Sequence, residues 1–109
     1  MEIGFKNTRL KRICEDEQKM SQKLGAKSAK KLKSRLADLS AAGDVNDLIA
    51  GRPHPLKGDR LGQFALYLDG GDRLVFESAD EPVPTTTDGA IDWKRVTKIC
   101  IVYIGDYHG

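Results

Sequence analysis

Apolar positions along the chain follow two different periods, and the change comes near Gly51. Before that point the spacing is mainly helical. Ile3 to Lys6 reads as a short opening strand, and Asn7 is placed to cap a first helix. Leu10, Ile13, Cys14 and Met20 form an uneven apolar stripe along that helix, and Gly25 breaks it. A second helix is predicted from about Ala26 to about Ala42, with Gly43 as its stop. At about 100° per residue, Ala29, Leu32, Leu36 and Leu39 share one narrow arc. Lys27, Lys30, Lys31 and Arg35 fall on the opposite side, and Asp44 to Ile49 adds a short helical turn.

After Gly51 the period shortens to two. From Gln63 to Leu68 the residues Phe64, Leu66 and Leu68 point one way, while Ala65 and Tyr67 point the other. Asp69-Gly70-Gly71-Asp72 signals a hairpin in which both glycines can take positive φ, and Arg73 to Glu77 is the returning strand. Depending on the length of that turn, Arg73 shares a face with Leu66 or with Tyr67. Ala79 to Asp92, with Pro82, Pro84 and three threonines, reads as an exposed, mobile loop. Ile99 to Ile104 is a continuous apolar run, expected of a central strand covered on both faces. The order predicts an α+β domain spanning residues 1–109, its N-terminal strand and two helices packed on one face of a small antiparallel sheet. The other face is left to carry a site.

Composition narrows the class. A chain of 109 residues, 39% hydrophobic and 31% charged, suits one domain with a modest core, and no apolar run is long enough to span a bilayer. The first residues lack an apolar signal segment, so a cytoplasmic location is expected. Cys14 and Cys100 lie in dissimilar segments without metal-ligand spacing, and are expected to be buried reduced thiols. The net charge of +2 conceals an asymmetry: residues 1–40 hold eleven Lys/Arg against five Asp/Glu, and the remainder seven against eleven. From Met20 to Ala37 there is no acid at all. Such a stretch suits a polyanion, the plain alternative being a solvated helix face.

The chain has only two histidines, His54 and His108, and neither belongs to an apolar stripe. His54 stands between two prolines, which stiffen its backbone, and is followed within six residues by Lys57 and Arg60. His108 directly follows the last strand, beside Asp106 and Tyr107. Two imidazoles, a carboxylate and several cations suffice to cleave RNA. The substrate's own 2′-hydroxyl is the nucleophile, so the protein supplies a proton acceptor, a proton donor and positive charge. Imidazole fits both proton roles, with an unperturbed pKa of about 6.5. Arg73 or Lys57 can balance charge on the phosphorane, and Tyr107 can stack on a base. A zinc site, a Gly-rich nucleotide loop and a Ser or Cys nucleophile beside a base all lack the spacing they need. No metal and no cofactor is therefore expected.

His54-Pro-Leu-Lys-Gly-Asp-Arg60 followed by Gly62-Gln63, then Asp72-Arg73-Leu74-Val75-Phe76, then the ending Asp106-Tyr107-His108, occur in that order. On these blocks the chain resembles the HigB toxins of bacterial type II toxin–antitoxin systems, the plasmid-maintenance killer-protein branch of the RelE/ParE superfamily, over nearly its whole length. The resemblance implies a RelE-like fold and a ribosome-dependent endoribonuclease that cuts mRNA by metal-free attack of the 2′-hydroxyl. It implies His54 and His108 as acid/base candidates and Asp106 as the group that orients or shares a proton. Arg73 would stabilise the phosphorane, Tyr107 would position the nucleotide, and Lys57 and Arg60 would steady the mRNA backbone. Ribosomal RNA becomes the expected partner of Lys27, Lys30, Lys31 and Arg35, and a helix-turn-helix antitoxin of the HigA type the expected protein partner. The Ala79–Asp92 segment is longer than in shorter members, and its acids would disfavour RNA if they lay over the site. Two other readings remain open: a gyrase-inhibiting toxin on the same fold, and a non-catalytic nucleic-acid- or antitoxin-binding module.

Overall fold

The computed structural model describes residues 1–107, so the His108 assignment lies outside the described residues. The chain opens with β1 (Glu2–Phe5) and continues into α1 (Thr8–Glu15). Asn7 caps α1 as its sequence position predicts, its side chain accepting from the Leu10 amide at 2.9 Å. The first helical segment is not continuous to Gly25. Asp16 takes an extended conformation and accepts from the amides of Gln18 and Lys19, which starts a separate helix, α2 (Glu17–Leu24). A short polar side chain that caps so well competes with the helix interior. The stripe Leu10, Ile13, Met20 is uneven for this reason. Gly25 separates α2 from α3 (Ala26–Ala41), which buries Ser28, Ala29, Leu32 and Leu39. A 3-10 turn at Val45–Asp47 follows.

The remaining strands are β2 (His54–Pro55), β3 (Gln63–Tyr67), β4 (Arg73–Ser78) and β5 (Lys98–Gly105). They form one five-stranded sheet in the order β1-β5-β4-β3-β2. All neighbours are antiparallel except β1, which pairs parallel to β5, so the sheet is mixed rather than wholly antiparallel. The α+β class holds, with three helices in place of two.

Cross-strand rows define the two faces. Phe64, Phe76 and Ile101 form one row, and Leu66, Leu74 and Ile104 the next. These side chains join Leu10, Ile13, Met20, Leu32 and Leu39 in the main apolar cluster, which places the helices over this face. The opposite face carries His54, Ala65, Val75 and Tyr103 in one row and Tyr67, Arg73 and Gly105 in the next. The hairpin question is therefore resolved: Arg73 lies opposite Tyr67. Gly70 alone of the two turn glycines takes positive φ, at 55°.

The last strand differs from expectation. Val75 pairs with Tyr103 but Phe76 with Ile101, so Val102 is an extra residue in a bulge. The bulge changes parity: Ile99, Ile101 and Ile104 are buried on the helix side, whereas Cys100 and Tyr103 face the other way and are half-buried. The strand is thus covered fully on one face only. Cys14 and Cys100 are free thiols, half-buried rather than fully buried. Burial, with a smaller effect of Glu15, pushes the Cys14 thiol up to about 12.

The Ala79–Asp92 loop is held both by the chain just before β5 and by contacts within itself. Asp80 accepts from the Thr97 hydroxyl at 2.9 Å and its amide at 3.2 Å, and Thr85 bridges to Ile91. Beyond it, Trp93 packs edge-on to Phe64 (4.9 Å) and Phe76 (6.3 Å), which draws the return of the loop to the helix-covered side. No helix among the described residues is long and apolar enough to cross a membrane.

Candidate active site

The face without helices and the cleft at its edge hold five of the sequence-predicted residues, His54, Lys57, Arg60, Arg73 and Tyr107. At the centre of the face Ala65 and Val75 are small and wholly buried, and His54, Tyr67, Arg73 and Tyr103 are their neighbours there. A cleft of about 810 Å³ opens at its edge, lined by His54, Pro55, Leu56, Lys57, Asp59, Arg60 and Tyr107. Residues more than 45 positions apart thus meet at one opening: the 54–60 segment supplies one wall and the C-terminal segment the other.

His54 is set by an unusual turn before it. Gly51 has φ 86°, and a Cβ there would lie 3.0–3.3 Å from Arg35, Tyr67 and Leu66 atoms, so only glycine fits. Arg52 also takes a left-handed φ of 48°, although it precedes proline, and a non-glycine residue held so costs about 1–3 kcal/mol. The Tyr67 amide donates to the Gly51 carbonyl at 2.6 Å and pins this turn to β3. The turn aims the Arg52 carbonyl at His54, whose Nδ1 lies 2.8 Å away. A carbonyl only accepts, so Nδ1 carries a hydrogen in this contact, and the neutral form of the ring has its lone pair at Nε2. The imidazole also packs edge-on to Tyr67, with ring centres 5.4 Å apart.

Tyr67 is a hub, although its sequence position alone assigns it no role. Besides His54, it receives the Arg73 guanidinium at 3.6 Å from its ring centre and that of Arg52 at 5.7 Å. Arg73 itself is buried, and its Nη1 donates to the carbonyls of Gly70 (3.3 Å) and Asp72 (3.1 Å) in the hairpin turn. The period-two alternation already placed Tyr67 opposite Phe64 and Leu66; only its partners were missing.

At the other wall, the Arg60 guanidinium lies 4.7 Å from the Tyr103 ring centre and 4.9 Å from that of Tyr107. Its Nη1 donates to Gln63 Oε1 at 2.9 Å. Tyr103 belongs to the apolar run of β5, and the bulge at Val102 turns it to this face. Lys57 is exposed on the same cleft. Asp106 stands outside the cleft lining, its carboxylate so close to the hairpin that a Cβ on Gly71 would run into it.

The α3 cations form a separate group at the hairpin's outer side. Ser28 Oγ donates to Asp72 Oδ2 at 2.7 Å, and Lys31 pairs with Asp69 at 3.4 Å, which sets α3 against the turn carrying Arg73. Arg35 is half-buried and paired with Asp38 at 2.9 Å. Lys27 and Lys30 are exposed and make no ion pair among the described residues. Burial, then the neighbouring Glu77 carboxylate, raises the Cys100 thiol above its ordinary range. No group of three or more His, Cys, Asp or Glu side chains converges among the described residues.

No family model matches the sequence, and no curated protein matches it. Solved structures do. A YoeB/ParE toxin from Agrobacterium tumefaciens aligns over 98% of this chain and 99% of its own, with a TM-score of 0.62 and 13% identity. A chain of the YoeB–YefM complex from Staphylococcus aureus aligns over 100% of this chain and 98% of its own, with a TM-score of 0.59 and 20% identity. The fold is that of these toxins.

Proposed function

We propose that this chain is the toxin of a toxin–antitoxin pair, a one-domain ribosome-dependent endoribonuclease of the HigB-like branch that acts in the cytoplasm. The observation that carries the reading is His54, its Nδ1 occupied by the Arg52 carbonyl, standing in an open cleft beside Lys57, Arg60 and Tyr107. That is an imidazole with one nitrogen oriented and the other left for proton transfer, in a cationic surrounding that suits a phosphodiester.

In this reading Nε2 of His54 takes the 2′-hydroxyl proton and the oxygen attacks the adjacent phosphorus. The 5′-oxygen leaves with a proton from a second group, for which the sequence offers His108, supported by Asp106. The products are a 2′,3′-cyclic phosphate and a free 5′-hydroxyl. Arg73, held over Tyr67, supplies positive field to the phosphorane, and Tyr107 stacks on the nucleotide. Lys57 contacts the mRNA backbone, and Lys27 and Lys30, with Lys31 and Arg35 behind them, face ribosomal RNA. An antitoxin of the HigA type is the protein partner. The fold's likeness to a chain solved in a YoeB–YefM complex supports the existence of such a partner.

The test is to induce the protein in translating cells and map new 5′ ends on mRNA. Cuts in register with codons are expected. His54→Ala and His108→Ala should each reduce them by about 100-fold or more, the usual reach of one acid/base group. Growth arrest that persists in both variants without codon-registered cuts would overturn the reading. DNA breaks in place of mRNA cuts would indicate the gyrase-inhibiting alternative, and neither lesion would indicate a binding module.

A further inference from the structure

Arg60 joins the two walls of the cleft, and its surroundings differ from those of a phosphate ligand. The Tyr103 and Tyr107 ring centres are 6.0 Å apart at 69°, an edge-to-face pair. With the guanidinium carbon 4.7 Å from one and 4.9 Å from the other, the three points make a tight triangle. The guanidinium therefore sits in the notch between the rings and is not sandwiched by them. Its Nη1 is taken by Gln63 Oε1, and the Gln63 amide in turn reaches Glu77 Oε1 at 3.5 Å. Gln63 and Glu77 are direct cross-strand partners, so this support stands on the sheet itself.

We infer that Arg60 is a positioning residue that braces Tyr107 against β5, not a ligand of the RNA backbone. The inference rests on the proposed endoribonuclease reading for its effect on rate, although the brace itself belongs to the protein alone. Gly105, two residues before Tyr107, has φ 143° and turns the chain out of the strand, and the Arg60 and Tyr103 contacts tie the Tyr107 ring back to β5. A planar guanidinium supplies that contact by stacking and by a directed hydrogen bond at the same time; an ammonium has no plane to stack. Lys57, exposed on the same cleft and without such neighbours among the described residues, is left as the cation that meets phosphate.

Two measurements test this on the full-length chain. The first uses NMR of the protein without RNA, following the Tyr107 ring signals and the Arg60 Nε–H. In the native chain the Arg60 signal is shifted upfield by the two rings, and both Arg60→Lys and Tyr103→Leu move the Tyr107 signals. The second is single-turnover cleavage on programmed ribosomes. Arg60→Lys should lower the rate constant by about 10- to 100-fold, as misplacement of a positioned group does, with half-saturation and salt dependence unchanged. Tyr103→Leu should reproduce the loss, and the double variant should be no worse than either single one. Lys57→Ala should instead weaken binding and reduce the salt slope by about 1. Full activity of Arg60→Lys, or a salt slope that falls in Arg60→Lys as in Lys57→Ala, overturns the inference. If the native chain cleaves nothing, the endoribonuclease reading fails. The NMR comparison then still decides the brace: unmoved Tyr107 signals reject it.

Discussion

The two faces of the sheet use alternate residues of the same strands, yet they are held by different forces. On the helix side, Phe64, Leu66, Leu74, Phe76, Ile101 and Ile104 interdigitate with apolar side chains of the helices, and Phe76, Leu66 and Leu74 are wholly buried. Their stability comes from area removed from water and from close packing. On the open face, Tyr67, Arg73, Tyr103 and Arg60 are held by ring–cation contacts and by hydrogen bonds to carbonyls and an amide. Such contacts are individually small but directional, which suits a surface that must hold charged groups in fixed places. One face keeps the protein folded, and the other is shaped by it.

Substitutions at neighbouring positions can separate the two. The largest effect is expected from Phe76→Ala, which empties the stack with Phe64 and Trp93 on the helix side. It should cost about 3–5 kcal/mol in urea unfolding. A cost near that of a surface substitution would mean that the helix layer is not the main source of stability.

A smaller stability effect and a larger functional one are expected at Tyr67, on the opposite face. Tyr67→Leu should cost about 1 kcal/mol, the worth of an aromatic or cation–ring contact, while removing the packing that orients His54 and Arg73. Tyr67→Phe keeps the ring and should retain both stability and, in the proposed reading, mRNA cleavage. Equal losses in the two variants would show that the hydroxyl matters and that the ring contacts do not.

The smallest effect concerns the loop between β4 and β5. Burial, the largest single influence, pushes the Asp80 carboxyl up, but hydrogen bonds from Thr97 and Ser78 and the amides of Thr97 and Lys98 together hold it below its ordinary value. A depressed folded value means that the contribution is complete at neutral pH and is lost as pH falls through the acidic range. Asp80→Asn should therefore lower the urea midpoint at pH 6 by a fraction of the Phe76→Ala change, and by less at pH 3. A midpoint difference that is the same at both pH values would show that the carboxylate charge is not what ties the loop.

Much of this arrangement was legible in local patterns. Asn7 as a cap, Gly25 as a break, the leucine arc of α3 and the hairpin at Asp69–Asp72 are local matters, governed by backbone propensity and by periods of 3.6 and 2. The split at Asp16 was less visible, because a capping aspartate inside a helical stretch competes with neighbours on both sides. His54, Lys57, Arg60 and Tyr107 were all named from type and spacing, and the fold brings them to one cleft. The role of Arg60 was not legible, since both of its rings come from distant positions, and Tyr103 was concealed in an apolar run.

By itself the sequence determined the main helical and extended segments, the apolar faces of α3 and β3, and which residues are chemically able to handle a phosphodiester. Those are properties of short windows and of side-chain chemistry. Only the tertiary structure decided the parallel pairing of β1 with β5, the bulge at Val102 that turns Tyr103 outward, and the left-handed Arg52 that aims its carbonyl at His54. Each depends on strand register or on contacts across more than one element. Their energies are set by which segments meet, and a single window of sequence does not contain that information.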